Sequence, residues 1–185
     1  MLKKKEILYD EETGEIFLEK DKSAIPTRIK FKERHRFSKT YHLEMATFEN
    51  KAYYKYFYLC LCNVEMYTNR VIKAGVSRQD NKALSVNDIA KLCDTTPKTI
   101  YSFLNYCAEQ KIIRRLDLDG KLFGYFVNPT YVLNGEFIDP ILFLMFKGHG
   151  IEKYISKGSL SLLNDYVKTC KEEDIIKNSY KNYNS

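Results

Sequence analysis

The chain has 185 residues, 44% of them hydrophobic and 14% aromatic, with only 8 Gly and 4 Pro, which excludes a periodic fibrous protein and a disordered chain and leaves a core-forming domain with extensions. No apolar run reaches the roughly 18 to 20 residues of a membrane helix, and no apolar segment resembling a signal peptide follows the basic opening Lys3-Lys4-Lys5, so the expectation is a soluble, cytoplasmic protein without a membrane partner. The net charge is +6, from 30 Lys and Arg against 24 Asp and Glu, and its placement is more informative than its sum.

Residues 1–45 predict an N-terminal hairpin followed by a basic arm. Glu12-Thr13-Gly14 is a turn signal between Ile7-Leu8-Tyr9 and Ile16-Phe17-Leu18. Residues 1–21 carry 4 basic and 7 acidic side chains, which argues against DNA contact there. Residues 22–41 carry 7 basic side chains against 1 acidic, a net charge equal to that of the whole chain. Within them Lys30, Lys32, Arg34 and Arg36 alternate with Ile29, Phe31, Glu33, His35 and Phe37, so an extended backbone puts the cations on one side. Such a stripe suits a phosphate backbone, and it equally suits a solvated edge strand.

Residues 46–147 predict a DNA-binding domain. From Thr47 to Ile72 there is neither Gly nor Pro, and Thr47 as N-cap with Gly75 beyond the end brackets a helix of about seven turns. Phe48, Ala52, Tyr56, Leu59, Cys62 and Met66 form its apolar stripe. Tyr53, Tyr54, Phe57 and Tyr58 surround that stripe, which predicts a central helix or half of a dimer interface. Residues 75–83 read as a polar loop.

Ser85 is the expected N-cap of a short helix carrying Val86, Ile89, Ala90, Leu92 and Cys93, with Asp88 as its acidic partner and an end near Asp94. Thr95-Thr96-Pro97 restarts the chain with a hydroxyl cap and a proline at the first helical position. On the second helix Ile100, Phe103, Leu104 and Cys107 face inward. Lys98, Ser102 and Asn105 lie opposite, with Thr99 and Tyr101 at the flanks. Strand signals in Ile112–Leu118 and Lys121–Val127 around Asp119-Gly120 add a hairpin. Helix, turn, helix and hairpin in that order predict a winged helix-turn-helix. Lys98 and Asn105 are the leading base readers, because they donate to guanine or pair with adenine, while Arg114, Arg115 and Lys121 on the wing reach flanking phosphates. The fold class expected is therefore α+β, mainly helical, with a long helix preceding a winged core. A winged helix used only for protein interaction has the same pattern.

Residues 148–185 predict a C-terminal helix and a flexible tail. Leu160, Leu163, Tyr166, Val167 and Cys170 recur at helical intervals behind Ser159 as cap, and Lys177–Ser185 reads as disordered. Upstream, Asn128 is expected to cap a short helix begun by Pro129 and closed by Asn134-Gly135, four residues that serve as a structural corner. The run Pro140–Phe146 is short and apolar, and suits a buried strand, a strand pairing with another subunit, or a helix.

The 5 cysteines contain no Cys-x-x-Cys pair, and Cys60, Cys62, Cys93 and Cys107 sit among apolar neighbours, so buried free thiols are expected. The 3 histidines, His35, His42 and His149, have no metal-ligand spacing. Although there are 15 tyrosines, no histidine pair accompanies one to hold a metal for DNA nicking, and no phosphate-binding glycine loop is present. Asp117 and Asp119 read as turn residues. The expectation is a non-enzymatic protein with no cofactor and no metal.

Leu84-Ser85-Val86-Asn87-Asp88-Ile89-Ala90, Pro97-Lys98-Thr99-Ile100, Lys111-Ile112-Ile113-Arg114-Arg115 and Gly124-Tyr125-Phe126-Val127-Asn128-Pro129-Thr130-Tyr131-Val132-Leu133-Asn134-Gly135 occur in an order that resembles the RepL family of plasmid replication proteins from Gram-positive bacteria. Ile141–Phe146 and the opening Asp10-Glu11-Glu12-Thr13-Gly14-Glu15 are also similar to that family, which gives patches between residues 8 and 147. The resemblance implies a replication initiator that binds double-stranded origin DNA and recruits host replication proteins. Binding as a homodimer on repeated or palindromic half-sites is expected. A winged-helix transcription repressor shares all of this DNA chemistry. A scaffold that binds a partner through helix 47–72 shares none of it.

Overall fold

The computed structural model describes residues 5–9, 16–21, 29–30, 40–41, 44–65, 68–73, 81–134, 137–171 and 174–178. In chain order the elements are β1 (Lys5–Tyr9), β2 (Ile16–Asp21), β3 (Ile29–Lys30), β4 (Thr40–Tyr41), α1 (Lys51–Leu61), β5 (Ile72–Lys73), β6 (Lys82–Ala83), α2 (Val86–Cys93), α3 (Pro97–Glu109), β7 (Ile113–Leu118), β8 (Lys121–Val127), β9 (Leu133–Asn134), β10 (Phe137–Ile138), α4 (Pro140–Phe146), a 3-10 turn (Ile151–Tyr154) and α5 (Lys157–Thr169). The architecture is mixed α+β. The described residues between 40 and 134 make one compact unit, and those of 5–30 with 137–178 make a second.

Hydroxyl caps set the register of the first unit. Ser85 Oγ accepts from the Asp88 N–H at 3.2 Å, and the Asp88 carboxylate accepts from the Ser85 N–H at 3.0 Å, so a capping box opens α2. Asp94 closes it with φ 51° in the left-handed region, donating back to Ala90 and Lys91 carbonyls. Thr96 Oγ1 accepts from the Thr99 N–H at 3.3 Å, and Pro97 occupies the first turn of α3. Both starts agree with the expectation from sequence. The serine–carboxylate contacts also hold the Asp88 carboxyl below its ordinary value. A carboxyl with a lowered folded pKa adds stability above its unfolded pKa, and that increment is lost as pH falls through the folded value. Ser85→Ala is therefore expected to cost about 1 kcal/mol near neutral pH, and less at a pH low enough to protonate Asp88. Urea titrations of both proteins at two pH values measure the difference, and a pH-independent cost would contradict the capping-box account.

Asp119 (φ 51°) and Gly120 (φ 73°) are both left-handed, the geometry of a tight two-residue hairpin turn whose twist matches the flanking strands. Strands β7 and β8 pair from Ile113↔Val127 to Leu118↔Lys121, with a register shift between Leu116 and Asp117. The far edge of β8 is also used: Val71 N–H donates to the Tyr125 carbonyl at 2.8 Å, and Val127 N–H to the Asn69 carbonyl at 3.0 Å. Behind the sheet, the buried face of α3 (Ile100, Phe103, Leu104, Cys107) meets α1 and α2, and the Phe103 ring lies 5.3 Å from Tyr53 and 5.7 Å from Tyr56.

The long helix expected over Thr47–Ile72 is replaced by an 11-residue helix, α1. Asn50, and not Thr47, is its cap, with its side chain accepting from the Ala52 N–H at 3.0 Å. Beyond Cys62 the chain turns back so that Val64 bridges Val71 and Ile72 enters a strand. Tertiary partners drive this departure. The buried Asn69 adopts φ 53° and donates its amide to the Val127 and Val132 carbonyls, while the Val71 N–H is taken by Tyr125, so these groups are satisfied without a helical ladder. Phe48 precedes the helix and folds back on Phe57 at 5.4 Å. Met66 and residues 75–80 lie outside the described residues, and Asn81–Ala83 end in the short strand β6.

The helix expected after Asn128 is likewise absent. Asn128 Oδ1 accepts from the Thr130 N–H at 3.0 Å, making one tight turn, while its Nδ2 donates to the Lys111 carbonyl at 3.0 Å. Leu133–Asn134 then pairs with β4 as a strand, in the register Thr40↔Asn134 and Tyr41↔Leu133. Asn128 thus makes the local cap-like bond and also ties the corner to the Lys111 carbonyl, while the chain beyond Thr130 leaves the turn for a strand instead of continuing a helix. Cys60, Cys93 and Cys107 are buried as expected, but Cys62 is exposed because it lies past the end of α1.

In the second unit β1 and β2 form the expected hairpin, from Lys5↔Asp21 to Tyr9↔Ile16, with the turn Glu12-Thr13-Gly14 outside the described residues. β3 pairs with β10 through Phe137↔Lys30. Of the alternatives for Pro140–Phe146 the chain adopts the helix. Asp139 accepts from the Ile141 N–H at 2.9 Å and Pro140 starts the turn, so the local cap outweighs the strand-like composition. Helix α5 begins earlier than expected: its cap is Ser156, whose Oγ accepts from the Ser159 N–H at 3.3 Å, and Ser159 is buried inside the first turn. Of the tail, Lys177 and Asn178 belong to a short helix at 174–178, and 179–185 lie outside the described residues.

Candidate nucleic-acid interface

Because Ile100, Phe103, Leu104 and Cys107 take the inner side of α3, helical spacing turns the intervening residues outward. Lys98, Ser102 and Asn105 are exposed, Tyr101 keeps 53% of its surface, and Thr99 is half-buried with Oγ1 2.9 Å from Thr96 Oγ1. The Ser102 hydroxyl donates back to the Lys98 carbonyl at 3.3 Å, an internal bond that a ligand acceptor would have to replace. Lys98 in the first turn and Asn105 two turns later mark the ends of one polar stripe.

The hairpin extends this face. Arg115 on β7 is exposed and its Nε sits 2.9 Å from Asp117 Oδ1, so its charge is already partly neutralised. Asp117 thus serves Arg115, and the turn is made by Asp119 and Gly120. Arg114 is half-buried, and Lys121 is exposed beside the turn, opposite Leu118. Arg115 lies within electrostatic range of the Tyr101 phenol on α3 and the Tyr125 phenol on β8. Burial pushes the Tyr125 phenol up, and the Arg115 guanidinium opposes that shift. Helix α3 packs against β7, which sets the hairpin beside it. Of the basic arm, Lys30 lies in β3, and Lys32, Arg34 and Arg36 lie outside the described residues.

A buried ionic cluster stands behind the hairpin, and sequence reasoning missed it. Glu65 retains 4% of its surface, accepts from Thr68 Oγ1 at 2.6 Å and Asn81 Nδ2 at 3.2 Å, and meets the Arg70 guanidinium at 3.2 to 3.3 Å. The Arg70 guanidinium also lies 5.3 Å from the centre of the Phe123 ring. Its stem passes so close to Gly124 that a Cβ there would fall 2.8 Å from Cγ. A glycine inside a strand is the one signal that could have revealed this approach.

Among the described residues no three His, Cys, Asp or Glu side chains are grouped to hold a metal ion, and no helix is long and apolar enough to cross a membrane. No known protein family, curated protein or solved structure matches the chain.

Proposed function

We propose that residues 44–134 act as a winged helix binding double-stranded DNA, with α3 in the major groove and the β7–β8 hairpin as wing. The observation that carries this reading is the outward polar stripe Lys98, Tyr101, Ser102 and Asn105 on a helix whose other side is wholly buried. A helix with that stripe has the length and donors to read base edges, and exposed Lys121 with Arg114 and Arg115 supplies flanking cations. The order α1, strand, α2, α3, hairpin supports the same assignment. The proposed target is a plasmid replication origin and the proposed role that of a non-enzymatic, cytoplasmic initiator, the reading that the resemblance of the sequence patches to RepL proteins implies. It reads the origin as a homodimer and recruits host replication proteins.

The test is binding of the full chain to labelled fragments tiled across its replicon, at two salt concentrations with random competitor DNA. Selective retention of one fragment, weakening steeply with salt, is the expected result. Absence of selectivity at both salts would overturn the reading, and a selected fragment unable to support autonomous replication would point to an operator. Lys98→Ala is expected to lose about 1 to 3 kcal/mol on the selected fragment, while Lys121→Ala weakens all sequences alike. Equal losses on selected and random DNA for Lys98→Ala would remove that lysine from base readout.

A further inference from the structure

Helix α1 presents a second face that the double-strand reading does not use. Tyr56, Phe57 and Cys60 are buried, which turns Lys51, Tyr54, Lys55 and Tyr58 to solvent within an arc of about 100°. Tyr54 and Tyr58 expose 45% and 65% of their surfaces, unusual for residues this large on the only described helix so rich in aromatics. Along the axis the two rings are one turn apart, about 6 Å, with a lysine before each. Tyr54 is already held in place: its hydroxyl accepts from the Phe48 N–H at 3.1 Å and its ring stands edge-on to Phe48 at 5.1 Å. The helix contains no carboxylate, and among the described residues neither lysine makes a salt bridge.

We propose that Lys51, Tyr54, Lys55 and Tyr58 form a platform for single-stranded DNA, with unstacked bases lying on the tyrosine rings and phosphates neutralised by the lysines. Aromatic rings interleaved with cations are the elements of sequence-tolerant single-strand binding, because every base has a face to stack and every nucleotide carries a phosphate. Duplex DNA is a poor occupant, since its bases are already stacked on one another. A second copy of the same face would bring lysine against lysine. A helix or groove on another protein calls for aliphatic anchors at i, i+3 and i+4, and this face offers tyrosine and lysine instead. The platform goes beyond the origin-binding reading and uses none of the α3 residues, so either can fail alone.

The experiment follows fluorescence anisotropy of a labelled mixed-sequence oligodeoxynucleotide of about 15 nucleotides, a length that spans one such platform, with the full-length protein. Wild type is expected to bind with an affinity that falls as salt rises. Tyr58→Ala is expected to weaken binding about tenfold, the loss that removal of one stacking ring causes, and Tyr58→Phe to keep it. Lys98→Ala should leave this affinity unchanged while losing the selected duplex fragment. Circular dichroism of each variant controls for folding, which a 65% exposed position leaves intact. No binding by wild type, or equal binding by wild type and Tyr58→Ala, overturns the proposal. A change in sedimentation without a change in oligonucleotide affinity also overturns it, and assigns the face to protein association.

Discussion

Phe103→Ala is expected to lower the unfolding free energy by about 3 to 5 kcal/mol, the range for deleting a buried phenyl ring and leaving a cavity. Phe103 has no exposed surface, and its ring lies within 6.3 Å of the rings of Phe48, Tyr53 and Tyr56. Those four residues join α3 to α1 and to the segment before it, so the cavity opens at the junction of the helices and has little room to collapse. The lost contacts include edge-to-face pairs with Tyr53 and Tyr56, which add to the loss of buried area. None of the outward residues of α3 is altered. At low temperature, where the variant is still folded, duplex binding should therefore persist, whereas the urea midpoint falls. Denaturation followed by circular dichroism measures the first effect and anisotropy the second. A loss below about 1 kcal/mol would mean that α3 is not packed on α1 as described.

Glu65→Ala is expected to cost about 3 kcal/mol, because it leaves the Arg70 guanidinium in a largely dehydrated site without its counter-charge. The same carboxylate is also the acceptor for Thr68 and Asn81, so two further donors lose their partner. Arg70 cannot swing freely to water. Its stem is pinned against Gly124 and its head lies over Phe123. Replacing both charged residues, as in Glu65→Ala combined with Arg70→Met, should recover a large part of the loss, since a buried pair contributes mainly by not being half-removed. Urea titration of the two single variants and the double variant forms a complete cycle. Strictly additive losses would show that the two residues do not act as a pair. Because the cluster joins residues 65–70 to the strand that carries the wing, the single variant should also loosen the hairpin, seen as faster amide exchange in β8.

The central region was legible in the amino-acid sequence because its signals are local. Ser85 with Asp88, Thr96 with Pro97, and Asp119 with Gly120 each act on backbone groups within a few residues, and each sits where the sequence placed it. The apolar spacing of Ile100, Phe103, Leu104 and Cys107 then decided which side of α3 is buried, and with it which side chains are available to a ligand. The same local grammar misjudged the stretch after Thr47. A run without Gly or Pro permits a helix but does not require one, and Asn69, Arg70 and Val71 find partners on a strand more than fifty residues downstream.

What the sequence by itself determined is therefore the caps of α2 and α3, the Asp119-Gly120 turn and the inward face of α3, since these depend on spacing and on hydrogen bonds that close over three or four residues. Only the tertiary structure decided where α1 ends, that Asn128 ties its corner to the Lys111 carbonyl, that Glu65 and Arg70 meet behind Gly124, and that Tyr54 and Tyr58 stay in water. Each of those outcomes depends on which distant backbone or ring competes for the same group, and spacing along the chain carries no record of that competition.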